Sequence, residues 1–283
     1  MDYRKEFRID ADQQVRLTKF DPSYKGNHES EDAATIEIER YRAKLRRLQA
    51  VMYAEKRRSV LVVLQAPDAG GKDGTINHVF SALNPQGANV VGFKQPTPLE
   101  LAHDFLWRVH PHTPGHGELA IFNRSHYEDV LVTRVHKLID KATWISRYDR
   151  IREFEKGLVA AGTTILKFFL HISKEEQLRR FEQRLEDPRR NWKISEADYA
   201  EREHWEAYTE AFEEAIAATS THRAPWYVIP SNHKWFRNLA VSQIMADTME
   251  ELGMAFPKPT VDLADIRQKY HSALEAQRHR SSH

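Results

Sequence analysis

The chain has 283 residues, 41% of them hydrophobic, with 42 basic and 41 acidic side chains and a net charge of +1. Balanced charge excludes a general nucleic-acid binder or an acidic solubility module, so any polyanion must be met locally; the lack of cysteine excludes disulfides, thiolate nucleophiles and cysteine-ligated metal centres. No apolar run approaches the roughly 20 residues of a membrane span, and Met1 to Glu6 hold no signal-peptide core, so a cytoplasmic protein with neither membrane nor nucleic-acid partner is expected.

Residues 1–30 are polar, broken by Pro22, Gly26 and Asn27, and read as an extended arm. Ile36, Ile38, Tyr41, Leu45, Leu48, Val51 and Met52 then recur at helical spacing within Glu31 to Arg58. A β-branched strand over Ser59 to Gln65 follows, and strand-like runs return at Ala88–Phe93, Glu118–Phe122, Thr163–Ile172 and Trp226–Pro230. Helical stretches separate them, at Leu99–His110, His126–Leu138, Thr143–Ala161, Lys174–Asp187, Glu196–Thr219 and His233–Leu252. This βαβ spacing predicts an α/β fold with a mostly parallel, five-stranded sheet. One main domain, 31–255, is expected between the arm and a tail at 256–283, with the helices around Pro188 forming a lid at about 180–200.

The first strand breaks into Ala66-Pro67-Asp68-Ala69-Gly70-Gly71-Lys72-Asp73-Gly74 before a helix carrying Ile76, Val79, Phe80 and Leu83. Small residues let backbone N–H groups approach a polyanion, the helix start adds its positive dipole end, and Lys72 adds a full charge. This is a phosphate loop of Walker A type. Ala66 replaces the first glycine, and Asp73 replaces the hydroxyl that would bind magnesium, so a metal needs another oxygen ligand, which Asp68 or Asp73 could supply.

In open parallel sheets the ligand crevice lies beyond the carboxyl ends of the strands. That rule sends Lys94, after the second strand, and Asn123, Arg124, Glu128 and Asp129, after the third, toward the loop. Arg124 is a candidate phosphate clamp; Glu128 and Asp129 are candidates to hold magnesium or contact the acceptor. Ser125 with Glu128 three residues on also spells a helix capping box, which leaves a second account open. From Arg179 to Lys193 the chain holds six basic and three acidic residues. Leu178, Phe181 and Leu185 share one helix face there and Arg180 and Arg184 the opposite one, so this segment, with Arg189 and Arg190, reads as a cationic lid.

Taken together, Pro67 to Gly74, Phe93 to Thr97, His103 to Arg108, Asn123 to Asp129 and Arg184 to Lys193 resemble family 2 polyphosphate kinases, over about residues 35 to 255. The resemblance implies a three-layer αβα P-loop kinase fold, thymidylate-kinase-like, and transfer of a phosphoryl group between inorganic polyphosphate and a nucleotide with magnesium. It implies catalytic roles for Asp68, Lys72, Arg124 and Arg184, with magnesium at Asp68 and Glu128. Asn123 stands where many relatives carry aspartate. Ala69, Gly70, Gly71, Asp73, Gly74, Lys94, Arg179, Arg180, Arg189 and Arg190 would meet phosphates, and Asn123, Glu128 and Asp129 the nucleotide. Glu128 resembles the marker of the subgroup that accepts both nucleoside mono- and diphosphates, which implies AMP and ADP as acceptors, with GMP and GDP alongside, and a homo-oligomer. An ATP-dependent kinase of nucleoside monophosphates or small metabolites uses the same parts and stays open as an alternative, separated by its donor.

Overall fold

The computed structural model describes residues 1–28 and 30–281. Helix α1 (Tyr3–Phe7) and strand β1 (Arg8–Ile9) come first, followed by α2 (Glu31–Glu55), β2 (Ser59–Gln65), α3 (Lys72–Val79), β3 (Ala88–Gly92) and α4 (Pro98–Leu101). Next come β4 (Leu119–Asn123), α5 (Glu128–Val135), α6 (Lys141–Ala160), β5 (Thr163–His171) and α7 (Lys174–Glu186). The chain closes with α8 (Glu196–Glu203), α9 (Trp205–Thr219), β6 (Trp226–Pro230), α10 (Lys234–Glu251) and α11 (Leu263–Ser281). The sheet runs β1-β6-β5-β2-β4-β3, parallel from β6 to β3, with β1 antiparallel on the β6 edge.

Strand β2 sits at the centre, and all seven of its residues are buried. Its pleat divides the core in two: Val60, Val62 and Leu64 pack with α2, α3 and α10, while Leu61 and Val63 pack with α5, α6 and α9. Successive strand side chains point to opposite faces, so a strand covered on both sides reads as one continuous apolar run. Three αβα layers result. The carboxyl ends of β2 and β4 lie side by side, Leu64 opposite Asn123, which brings the turns after both strands to one edge of the sheet.

Four sequence expectations are corrected. Among the described residues the sheet has six strands rather than five, because Arg8 and Ile9 pair with Tyr227 and Trp226. The first thirty residues are not an extended arm: Tyr3 and Phe7 stack on each other and against Phe236, and Ile9, Val15 and Leu17 are buried. Aromatic residues too sparse to show a period anchor this segment through tertiary packing. The helix expected at Leu99–His110 is only the four-residue α4; the Asp104 side chain accepts from the Leu106 N–H at 3.0 Å, a local bond that competes with helix continuation. The helix expected at Glu196–Thr219 is split at His204 into α8 and α9.

Helix α7 turns a different face inward from the one its leucines suggest. Glu176, Gln177, Arg180 and Phe181 are buried, whereas Leu178 and Leu185 are 47% and 55% exposed. Polar contacts with the loop after β2, set out below, override the apolar stripe. Likewise Ile36 on α2 is exposed, though Tyr41, Leu45, Leu48, Val51 and Met52 are buried as their spacing predicts.

Phe181→Ala should destabilise the protein by about 3–5 kcal/mol, whereas Leu178→Gln should change stability by no more than about 0.5 kcal/mol. Denaturant unfolding of the two variants checks this; equal losses would restore the leucine face as core.

Candidate active site

The loop between β2 and α3 is shaped by backbone that few residues tolerate. Ala69 has φ +58° and Gly71 φ +106°. A Cβ at Gly70 would sit 2.5 Å from the Ala66 Cβ and 2.8 Å from the Pro67 carbonyl oxygen, so glycine there is a steric requirement. Helix α7 holds the loop's carbonyl groups outward: Gln177 Nε2 donates to Asp68 O at 2.9 Å and Arg180 Nη1 to Ala69 O at 2.8 Å. Among the described residues, the N–H groups of Gly71, Lys72 and Asp73 have no protein acceptor, as the first turn of a helix leaves them.

Lys72 is buried, and its Nζ donates to Ala66 O at 2.9 Å. Burial, then the nearby Arg124 charge, pull its pKa down to about 8. Across the cleft Arg124, at φ +62°, follows β4 directly. Its Nη2 donates to Asp68 Oδ1 at 2.7 Å and its Nη1 to Glu128 Oε2 at 2.9 Å, and Glu128 above all raises its pKa. One arginine thus bridges the two candidate metal ligands and leaves each carboxylate a second oxygen. That donor set, two hard carboxylate oxygens beside a phosphate-sized cradle, fits magnesium, which binds through one or two carboxylates and substrate phosphate oxygens.

The capping-box account of Glu128 is set aside. Helix α5 has no side-chain cap; Ser125 Oγ accepts from Tyr127 N and from Gln65 Nε2, and the Glu128 carboxylate goes to Arg124 instead. The start of α5 is held by buried Tyr127, whose hydroxyl donates to Glu155 Oε1 at 2.8 Å, while Lys167 pairs with the other Glu155 oxygen at 2.6 Å.

The remaining expected residues divide. Asn123 Nδ2 donates to Asp73 Oδ1 at 2.8 Å, tying the end of β4 to the loop. Asp129 is buried, with Arg147 and Arg108 at 3.7 and 3.9 Å, and burial pushes its pKa up to about 6. Asp68, Lys94, Arg124, Glu128 and Asp129 line one cleft of about 1220 Å³. Arg180, expected on the open face of the lid, is corrected: it is 5% exposed, paired with Glu176 at 2.7 Å and bonded to Ala69 and Asn232 carbonyls. It braces the loop from behind because the carbonyls it reaches lie on the inner side of α7.

Arg179 also pairs with Glu176, and Arg189 and Arg190 pair with Asp187 on the lid surface. Arg184 is not brought to Asp68: it bonds Lys193 O at 2.8 Å and lies 3.6 Å from Asp198, all within the lid. Beyond Arg180, the lid brings Lys193 to 4.0 Å from Asp73 of the loop.

Sequence reasoning missed three contributors. Residues 17–22 of the supposed arm line the cleft, with Phe20 O bonded to His171 Nε2 at 3.1 Å. Arg108 also lines it, bonded to Lys94 O at 2.9 Å and set over the Phe93 ring. Arg237 on α10 lies against the loop glycines. Arg108 falls within the His103 to Arg108 motif, to which the sequence assigns no site role; no local pattern marks the other two.

With this geometry in view, comparison with known proteins is decisive. Residues 28–256 match the family described as Polyphosphate kinase 2 (PPK2). The chain belongs to that family. It is 51% identical to the AMP/ADP-polyphosphate phosphotransferase of Meiothermus ruber, over 90% of this chain and 96% of that one. It is 43% identical to the ADP-polyphosphate phosphotransferase of Rhodopseudomonas palustris, over 94% and 97%. The crystal structure of polyphosphate kinase 2 from Arthrobacter aurescens TC1 superposes with a TM-score of 0.93 at 38% identity, covering 96% of this chain and 97% of that one. The family match begins after the cleft-lining residues 17–22, so that wall of the site lies outside it.

The low pKa of Lys72 yields a signed prediction. The folded chain loses this proton near pH 8 and the unfolded chain near 10.5, so the ligand-free protein gains stability as pH rises between those values. Binding of a phosphate chain beside Lys72 should restore the proton. Calorimetric titration with tripolyphosphate in buffers of different ionisation enthalpy should therefore show fractional proton uptake at pH 8.5 and almost none at pH 6.5. The same uptake in Lys72→Met would assign the proton elsewhere.

Proposed function

We propose that the protein transfers phosphoryl groups between inorganic polyphosphate and the nucleotides AMP and ADP, forming ADP and ATP. The observation that carries this reading is the Asp68–Arg124–Glu128 bridge lining one cleft, with Lys72 of the same loop bonded to Ala66 O in the cleft wall and within electrostatic reach of all three. The names borne by the Meiothermus ruber and Rhodopseudomonas palustris relatives support donor and acceptor alike. Under the same reading the enzyme is a cytoplasmic homo-oligomer whose phosphotransferase domain spans 31–255.

The reaction asks little of a general base. A nucleotide phosphate oxygen is already an anion near neutral pH. It attacks the terminal phosphorus of polyphosphate, a new P–O bond forms, the bond to the bridging oxygen breaks, and the donor leaves one unit shorter. Negative charge spreads over the equatorial oxygens of the transferring group, and positioned cations and N–H donors stabilise it. Lys72 and the loop N–H groups would hold the phosphates at the reaction centre, with Arg124 on the opposite side. Asp68 and Glu128 would hold magnesium through the oxygens that Arg124 leaves free; when bound, the ion neutralises phosphate charge and aligns donor with acceptor. Asn123 would keep Asp73 beside the loop, and Asp129 would border the nucleotide.

Lys94 and the exposed Arg179, Arg189 and Arg190 would form the outer track for a long polyanion, and Arg184 would act through the lid it braces. Opening the Asp187 and Glu176 pairs would free these arginines for phosphate, at little cost for surface ion pairs.

Two tests follow. Incubating AMP, ADP, GMP and GDP in turn with polyphosphate and magnesium, without ATP, should form the corresponding di- and triphosphates, and chelation should stop the reaction; product only when ATP is supplied would favour the ATP-dependent alternative. Lys72→Ala and Asp68→Asn should lower kcat by a factor on the order of a hundred or more with the fold intact, whereas Glu128→Asn should impair AMP more than ADP. Equal losses with both acceptors would remove Glu128 from acceptor selection.

A further inference from the structure

Arg237 belongs to none of the motifs above and reaches the site from α10, on the far side of the loop from the cleft residues. It is 2% exposed. A Cβ at Gly71 would come within 1.9 Å of its Nη1 and a Cβ at Gly74 within 3.0 Å of its Nη2, so the guanidinium lies close against the backbone of the loop and the first turn of α3. Its hydrogen bonds run from Nε and Nη2 to Asn238 Oδ1, at 3.2 and 2.8 Å. That acceptor is neutral.

Among the described residues, Arg237 makes no ion pair with a carboxylate, and the charged group acting on it is Arg180, of the same sign. Arg180 differs, because Glu176 pairs with it at 2.7 Å. Burial together with Arg180 lowers the pKa of Arg237 to about 9, which still leaves it charged at neutral pH.

A buried guanidinium with a structural role ordinarily has a carboxylate partner, and an apolar side chain of similar volume fills such a space at less cost. Here positive charge is retained without a carboxylate partner, against the backbone that carries the unbonded N–H groups. The arrangement is unfavourable in the free protein and becomes favourable when negative charge enters the loop. We propose that Arg237 is a phosphate-positioning residue, whose buried guanidinium supports the backbone of Gly71 and Gly74 and supplies, from beneath the loop, positive potential for the phosphates bound above it. This rests on the loop being a phosphate site and adds a fourth cation, drawn from the last helix of the core. It also accounts for Gly71 and Gly74, since a side chain at either position would displace the guanidinium.

The test uses the full chain, magnesium-free tripolyphosphate as ligand, and two variants that change the charge balance by different routes. Arg237→Met removes the cation; Asn238→Asp keeps it and gives it a carboxylate. Both should leave the ligand-free melting temperature equal to or above that of the unaltered chain. Both should weaken tripolyphosphate binding by roughly ten- to a hundredfold, the scale of one charge a few ångströms away at intermediate dielectric. In turnover assays the KM for polyphosphate should rise more than kcat falls, and Arg237→Lys should recover part of the affinity. Unaltered tripolyphosphate affinity in Asn238→Asp, or in a folded Arg237→Met, overturns the proposal. If the unaltered chain itself fails to bind tripolyphosphate, or binds it equally well after Lys72→Met, the loop is no phosphate site and both readings fall together.

Discussion

Three cations, Lys72, Arg180 and Arg237, are buried around a single turn, and among the described residues one carboxylate, Glu176, pairs with any of them directly. Burying unpaired charge is among the costliest things a fold can do. Here the rest of the molecule is arranged around that cost. The two-sided core anchors β2, so the turn that follows it cannot relax away, and α7 and α10 carry arginines beneath it from two directions. Asp68 and Glu128, which act on Lys72 from nearby, are each also engaged by Arg124. Among its buried side chains the turn is left with more positive than negative charge, Lys72, Arg180 and Arg237 against Glu176, which suits a phosphate chain.

Of the five non-glycine residues with positive φ among the described residues, two border this turn. Ala69 and Arg124 adopt left-handed conformations at φ +58° and +62°, which side-chain-bearing residues enter at some cost. Ala69 is held there because its carbonyl is bonded to Arg180, and Arg124 because its N–H is bonded to the Leu64 carbonyl. Each strained residue adjoins a carboxyl end of one of the two central strands, where the sheet is most constrained. The strain turns the loop N–H groups and the Arg124 side chain toward a common space.

The lid shows why residue type and residue spacing can point in different directions. Leucines 178 and 185 promise an apolar stripe on α7, but Gln177 and Arg180 have hydrogen-bonding partners on the loop, and Glu176 has two arginines. A buried polar group left without partners costs more than an exposed leucine, so the helix settles with its polar face inward. Beyond α7, Asn191 donates to the Arg184 and Leu185 carbonyls and folds the lid back on the helix end.

Sequence alone determined the features that local chemistry encodes: a β-branched strand breaking into a glycine turn before Lys72, polar residues after the third parallel strand, and a cluster of basic residues around Pro188. Those patterns were sufficient for a mostly parallel α/β sheet, for Ser59–Gln65 and Trp226–Pro230 as strands, and for Asp68, Lys72, Arg124 and Glu128 as neighbours, while the three-layer αβα form came with the family resemblance. Tertiary structure alone decided that Arg180 braces the loop instead of facing solvent, that residues 17–22 wall the cleft, that Glu128 pairs with Arg124 rather than capping its helix, and that Arg237 lies against Gly71. Apart from the Arg124–Glu128 pair, whose residues are four apart and which competes with capping over the same short stretch, these depend on contacts between segments far apart in the chain, whose energies come from burial and pairing in three dimensions and leave no period or motif along one.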